Sequence, residues 1–273
     1  MKRIRSALFM PASNARAIDK ARGLKCDAVI LDLEDAVAPD SKVAARAQAL
    51  AAARDGGFGG RLLVLRVNAL DTEWGEADLE AARGAGFDAV LLPKVSHPGD
   101  LALARATLGG VSLWAMIETC AAMLALPAIA AAPGLGCLIA GTNDLAKEMR
   151  CTPGADRLPL LPQLIAIVTA ARAHGLIALD GVSNVLSDTP DLVAECGQGA
   201  AFGFDGKTLI HPAQIAPANR AFSPSAEQVR WAEAVIAAFA LPEHARLGAI
   251  RVDGAMVERL HLAQAEQIVA SAG

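Results

Sequence analysis

Short apolar runs recur along this chain, and each closes on polar or charged residues. ALFMP ends at Pro11, AVILDLED reaches Asp32, Glu34 and Asp35, and LLVLRVN carries Arg66. AVLLPK brings Lys94, SLWAMIE brings Glu118 and CLIAGTND ends at Asp144. LIALD ends at Asp180, and AFGFDGK holds Asp205 and Lys207. From Met10 to Asp205 these eight markers lie 24 to 36 residues apart, close to the about 30 residues of one βα unit. Runs without alternation describe strands buried on both faces, as in a parallel sheet covered by helices.

Between the runs, residues 14–23, 41–56, 76–86, 100–108, 120–132 and 159–175 space their apolar positions by three and four, the period of a helix packed on one face. Gly23, Gly56, Gly86 and Gly175 close four of them, as glycines do at helix C-termini. Strand and helix thus alternate along the chain, and the markers count eight such units. The expected fold is α/β, a TIM (β/α)8 barrel over residues 1–222, with its chemistry at the C-terminal ends of the strands. After Asp205 the pattern changes to helical text at 213–221 and 225–240, a turn-rich stretch, and a last helix at 257–271. Residues 223–273 are therefore expected to form a C-terminal helical extension. It packs either on its own barrel or on a neighbouring subunit.

The length of 273 residues suits one barrel plus such an extension, since these domains run to about 250 residues. A net charge of −4 without a basic run gives no nucleic-acid footprint. Cys26, Cys120, Cys137, Cys151 and Cys196 show no CxxC spacing, which fits reduced thiols in a cytoplasmic protein. No apolar stretch reaches the roughly 20 residues of a membrane span, and the basic start is followed by too short an apolar run for a secretion signal. The sequence reads as that of a soluble protein.

Among the strand-end charges, Glu118 and Asp144 stand 26 residues apart on consecutive runs, so a barrel sets them side by side. Two such carboxylates can hold Mg²⁺ and leave positions for water and substrate oxygens. They can equally serve as helix caps. Arg66 interrupts an apolar strand, where a guanidinium needs an anionic partner. That partner is either Glu34 or Asp35 from the neighbouring strand, or a substrate carboxylate or enolate oxygen. Of Asp32, Glu34 and Asp35, one is expected to orient Arg66 and one to stand behind the metal ligands. Lys94 reads as a residue snorkelling to the rim. His97, His174, His244 and His261 fall in loops or helices, and His211 is expected to buttress the loop after the eighth strand. GxSxG, HExxH, Walker and GxGxxG signatures are absent.

The order of RSALFMPASNARAIDKA, DAVILDLEDAV, LRVNA, LLPKV, IET, GTNDLA, GFDGKTLIHPAQI and DGAMVE resembles the citrate lyase β-subunit family of the HpcH/HpaI aldolase superfamily. That family includes malyl-CoA and citramalyl-CoA lyases. The resemblance implies a Mg²⁺-dependent carbon–carbon lyase that splits a β-hydroxyacyl-CoA thioester into a 2-oxo acid and acetyl-CoA. It implies Glu118 and Asp144 as metal ligands and Arg66 as the clamp on the developing enolate. By the same resemblance Glu34 and Asp35 belong to the catalytic group. Asp32, Thr119, Arg16 and Lys20 bind the substrate acid or the thioester's carrier group.

One departure bears on activity. The family's tail motif, G-x-M-[IV]-D, supplies an Asp to an adjacent subunit's site, whereas here Gly254-Ala-Met-Val ends in Glu258. Glutamate keeps the charge but reaches one methylene further, a shift that matters where placement is tight. The resemblance implies a homo-oligomer, a trimer or hexamer, with Glu258 completing a neighbour's site. Three other readings stand beside the lyase: a thioesterase on the same CoA esters, a citrate lyase β-type subunit acting on a carrier-protein thioester, and a non-catalytic CoA-ester-binding barrel. A pyruvate aldolase would need a histidine base near the second strand, and no histidine occurs before Arg66.

Overall fold

Eight parallel strands close on themselves in chain order in the computed structural model, which describes residues 3–244 and 246–272. They are β1 (Ser6–Pro11), β2 (Ala28–Asp32), β3 (Leu62–Arg66), β4 (Ala89–Leu92), β5 (Ser112–Ile117), β6 (Leu135–Ala140), β7 (Ile177–Asp180) and β8 (Gly206–Leu209). β8 pairs back onto β1 through Ser6–Lys207 and Leu8–Leu209. The helices that follow the strands are α1 (Ala15–Ala21), α2 (Lys42–Asp55), α3 (Gly75–Ala82), α4 (Pro98–Leu108), α5 (Cys120–Ala130), α6 (Thr142–Met149) with α7 (Leu161–Ala173), α8 (Pro190–Ala201) and α9 (Ile215–Ala221). The architecture is a TIM (β/α)8 barrel.

The two-residue period of the strands sorts side chains between two apolar layers. Ala7, Ala28, Ile30, Val64, Leu91, Trp114, Met116, Cys137 and Ile139 fill the barrel interior. Leu8, Val29, Leu31, Leu63, Leu65, Val90 and Leu113 face the helices. Counting on by two from the interior residues reaches Asp32, Arg66 and Glu118. The alternation that packs the core therefore also aims these three charges inward at the barrel mouth. Caps set where the helices begin: Thr119 accepts from the Ala122 amide at 2.9 Å, and His97 Nδ1 from the Gly99 amide at 3.0 Å. His211 caps the turn at Pro212–Gln214 in the same way, buttressing the loop after β8.

The chain divides into two compact units, residues up to Phe222 and from Ser223 onward. The second contains α10 (Ala226–Phe239), α11 (Arg259–Ala272) and an antiparallel hairpin, β9 (Ala249–Val252) and β10 (Ala255–Glu258). Val235, Phe239, Ile250, Val252, Val257 and Ala265 form its own core. The hairpin corrects the expectation of a purely helical tail: Val257 belongs to β10, and the last helix starts at Arg259. Asp253 and Gly254, at φ 50° and 83°, make its two-residue loop, the left-handed pair that matches the strand twist. Among the described residues no helix is long and apolar enough to cross a membrane.

Candidate active site

Asp32 closes β2 and Arg66 closes β3, paired in register. Arg66 donates from Nε to Asp32 Oδ1 and from Nη2 to Asp32 Oδ2, each at 2.7 Å. Asp32 also accepts the amides of Glu34 at 2.9 Å and Ala36 at 3.2 Å, so both its oxygens are engaged. Asp32 is thus the acid that orients Arg66, and it also fixes the turn after β2 while lining the cavity at the barrel mouth. The guanidinium also lies over the Phe9 ring, 4.8 Å from its centre, a favourable cation–π contact. Burial works to lower the Arg66 pKa, but Asp32 and Glu34 outweigh it and hold the charge firmly.

Glu34 Oε2 lies 2.6 Å from Arg66 Nη1, a charge contact without hydrogen-bond geometry, and no hydrogen bond reaches that buried oxygen. Burial pushes the Glu34 pKa up to about 8; Arg66 opposes the rise, and Glu118 and Asp35 add to it. Asp32 has already claimed the arginine's Nε and Nη2, leaving Glu34 the weaker partner of the two. Asp35 is exposed, 3.5 Å from Arg66 Nη1. Behind this loop Lys42 is buried, and its ammonium donates to the carbonyls of Leu33 and Glu34 and to Asn68 Oδ1. It holds the backbone that presents Glu34.

Glu118 follows β5 and is 1% exposed. Its Oε1 accepts the Lys94 amide at 2.8 Å. Burial raises its pKa, with Lys94 opposing. Asp144 is not at a strand end as expected but in the first turn of α6, whose N-cap is Gly141. Asp144 still reaches Glu118's neighbourhood: Lys94 Nζ lies 2.7 Å from Asp144 Oδ2 and 3.4 Å from Glu118 Oε1. Gly141 makes the approach possible. A Cβ there would sit 2.3 Å from Glu118 Cβ and 2.6 Å from its Oε2.

Phe9, Asp32, Asp35, Arg66, Met116, Glu118, Thr142, Asp144 and Ile210 are among the residues lining a cavity of about 340 Å³ at the barrel mouth. Among the described residues, no group of three or more His, Cys, Asp or Glu side chains gathers to hold a metal. Two carboxylates sharing one positive charge nevertheless fit Mg²⁺, which takes one or two protein carboxylates and completes its shell with water and substrate oxygens. The Lys94 ammonium marks where that charge belongs.

A model of the HpcH/HpaI aldolase/citrate lyase family matches residues 5–212. This chain belongs to that family. Across 268 residues it is 49% identical to a (3S)-malyl-CoA thioesterase of Cereibacter sphaeroides, covering 98% of this chain and 94% of that protein. The mitochondrial citramalyl-CoA lyase of Homo sapiens is 31% identical over 288 residues, 97% of this chain and 84% of that one. Among solved structures, protein CitE from Mycobacterium tuberculosis, in complex with magnesium, acetoacetate and coenzyme A, is 33% identical. It aligns with a TM-score of 0.82 over 99% of this chain and 98% of its own.

Of the other family positions, Thr119 caps α5 and lies 3.3 Å, hydroxyl to hydroxyl, from Ser96. Arg16 and Lys20 are exposed on α1 and do not line the cavity. Glu258 ends β10 in the second unit, its amide donating to His261 Nδ1 at 2.9 Å. Lys94, expected at the rim, is one-third exposed there and also contacts Glu118 and Asp144. Its backbone is left-handed, with φ 52°, and both its amide and its ammonium lie against Glu118.

Proposed function

We propose that this protein is a Mg²⁺-dependent thioesterase acting on a malyl-type β-hydroxyacyl-CoA, releasing free CoA and the hydroxy dicarboxylic acid. The observation that carries the reading is the 49% identity to a malyl-CoA thioesterase across nearly the whole of both chains, against 31–32% to citramalyl-CoA lyases. Carbon–carbon cleavage was the first expectation from sequence, and this comparison reverses the order of the two.

Glu118 and Asp144 would hold the metal. When bound, Mg²⁺ supplies Lewis-acid polarisation of substrate oxygens and a fixed charge for the substrate's carboxylate. Arg66, clamped by Asp32, has Nη1 turned toward Glu34 and Asp35, a placement suited to an oxyanion forming at the thioester carbonyl. Its rigidity matters because a donor already aimed needs no reorganisation as charge develops. Glu34, its pKa pushed up to about 8 by burial, holds a proton at neutral pH and is suited to give it to the leaving thiolate, while the proton of the attacking water would pass to Glu258. Attack of water on the carbonyl carbon forms the new C–O bond and breaks the C–S bond, and the thiolate leaves as CoA. Glu258 of a neighbouring subunit in a homo-oligomer would hold the attacking water. Exposed Arg16 and Lys20 would meet the carrier group of CoA, Asp35 the mouth of the cavity, and Thr119 the substrate acid.

A second reading, lyase cleavage, uses the same Arg66, Glu118 and Asp144, and the citramalyl-CoA lyases support it. Incubation with malyl-CoA, citramalyl-CoA and citryl-CoA in the presence of Mg²⁺, following free thiol and 2-oxo acid separately, distinguishes them. Thiol release without 2-oxo acid is the expected result; 2-oxo acid from any of the three establishes the lyase.

A further inference from the structure

The Lys94 ammonium stands between the two carboxylates assigned to the metal, 2.7 Å from Asp144 and 3.4 Å from Glu118. We propose that Lys94 is a resident counter-ion of this position, neutralising Glu118 and Asp144 when no dication is bound and giving way when one binds. The proposal rests on the metal reading above and adds to it the way in which the site loads.

Three observations support an exchange rather than a permanent ion pair. First, the partners are unequal. Glu118 is 1% exposed with its Oε1 already held by the Lys94 amide, whereas the side chains of Lys94 and Asp144 are about one-third exposed. Glu118 stays fixed while the ammonium has room to leave, and a lysine's four-carbon stem makes it a mobile point charge. Second, the backbone half of Lys94 is independent of the side chain. The amide bond to Glu118 persists wherever the ammonium goes, so departure does not disorder the ligand. Third, a smaller cavity of about 170 Å³ adjoins Lys94, with Asp71, Ser96 and Asp100 in its wall. These acidic and hydroxyl groups offer the displaced ammonium a second polar setting.

Exchange has a consequence for affinity. The metal replaces one positive charge with two rather than adding two to a bare pair of carboxylates, and it must break the lysine's contacts to bind. The dication is therefore held weakly by the protein alone, and firm binding awaits the substrate's own oxygen ligands.

The experiment measures binding of Mn²⁺ alone by calorimetry and electron paramagnetic resonance. It compares the full-length protein with Lys94→Met and with Lys147→Met, a control that removes the same charge from an exposed position of α6. In parallel, amine labelling of Lys94 in the unsubstituted protein is read by mass spectrometry with and without Mg²⁺. The proposal expects Lys94→Met to bind Mn²⁺ at least about tenfold more tightly, roughly one ion-pair's worth of free energy, with Lys147→Met changing by less than about threefold. It expects Mg²⁺ to increase Lys94 labelling. Equal or weaker binding by Lys94→Met, equal tightening by Lys147→Met, or unchanged labelling overturns the counter-ion and leaves the metal site standing. Failure of all three forms to bind Mn²⁺ overturns both. The labelling arm needs no variant, so it decides the matter even if Lys94→Met does not fold.

Discussion

Asp32 and Arg66 face each other at the ends of neighbouring strands and meet through two parallel hydrogen bonds of 2.7 Å. This bidentate geometry fixes the plane of the guanidinium as well as its position. Asp32→Asn keeps the shape but removes the charge and one acceptor. Charge-assisted bonds of this kind contribute about 1.5–3 kcal/mol, so kcat should fall by roughly 10- to 100-fold. Mn²⁺ binding should be unchanged, since Asp32 touches neither Glu118 nor Asp144. Steady-state kinetics beside a Mn²⁺ titration checks both halves.

Glu34 gives a pH signature. Its folded pKa, about 8, lies above its ordinary value of 4.5, so the folded protein retains a proton that the unfolded chain releases. The stability that this retention contributes is complete below pH 4.5 and is lost as pH rises to about 8. Glu34→Gln removes the titration. The difference in melting temperature between Glu34→Gln and the unsubstituted protein should therefore grow in the variant's favour from pH 5 to pH 8 and level off above. A flat difference contradicts the burial argument.

Gly141 is a contact position rather than a turn. A methyl group there meets Glu118 Cβ and Oε2 well inside van der Waals distance. Gly141→Ala must displace Glu118 or α6, at a cost of about 1–3 kcal/mol of stability. Divalent binding should weaken by at least tenfold, because Glu118 and Asp144, the proposed metal ligands, both adjoin this junction. Denaturant unfolding and Mn²⁺ titration read the two effects.

Lys207 is fully buried between β7 and α8. Its ammonium pairs with Asp180 at 3.1 Å and Glu195 at 2.7 Å, and Arg157 closes the cluster on Asp180 at 2.8 Å. Lys207→Met leaves Glu195 with Arg157 only at 3.8 Å. Breaking a buried pair in this way costs about 3–5 kcal/mol, which should appear as a lower urea midpoint. The double variant Lys207→Met, Glu195→Met should recover part of the loss.

The barrel was legible because the strands are apolar runs of four to six residues, several with a charged residue at or just after their C-terminal end. The interior alternation makes that charge point inward, as at Asp32, Arg66 and Glu118. The hairpin at 249–258 was not legible as strands, since AIRV and AMVE are only four residues each and half exposed; Asp253-Gly254 was the signal to follow. Asp144 was placed on the right wall but in the wrong element, because only the Gly141 cap shows where β6 ends and α6 begins. Lys94 was read as a rim residue because nothing in LLPKV announces a left-handed backbone.

The most direct measurement is the fate of solvent oxygen. (3S)-malyl-CoA is turned over with Mg²⁺ in ¹⁸O-water, and the products are analysed by mass spectrometry with free thiol counted in parallel. Hydrolysis predicts one ¹⁸O in a carboxylate of the released malate, equal amounts of malate and free CoA, and loss of both on Glu118→Ala. Glyoxylate and acetyl-CoA in equal amounts, with no labelled malate, would contradict the account and return the enzyme to carbon–carbon cleavage.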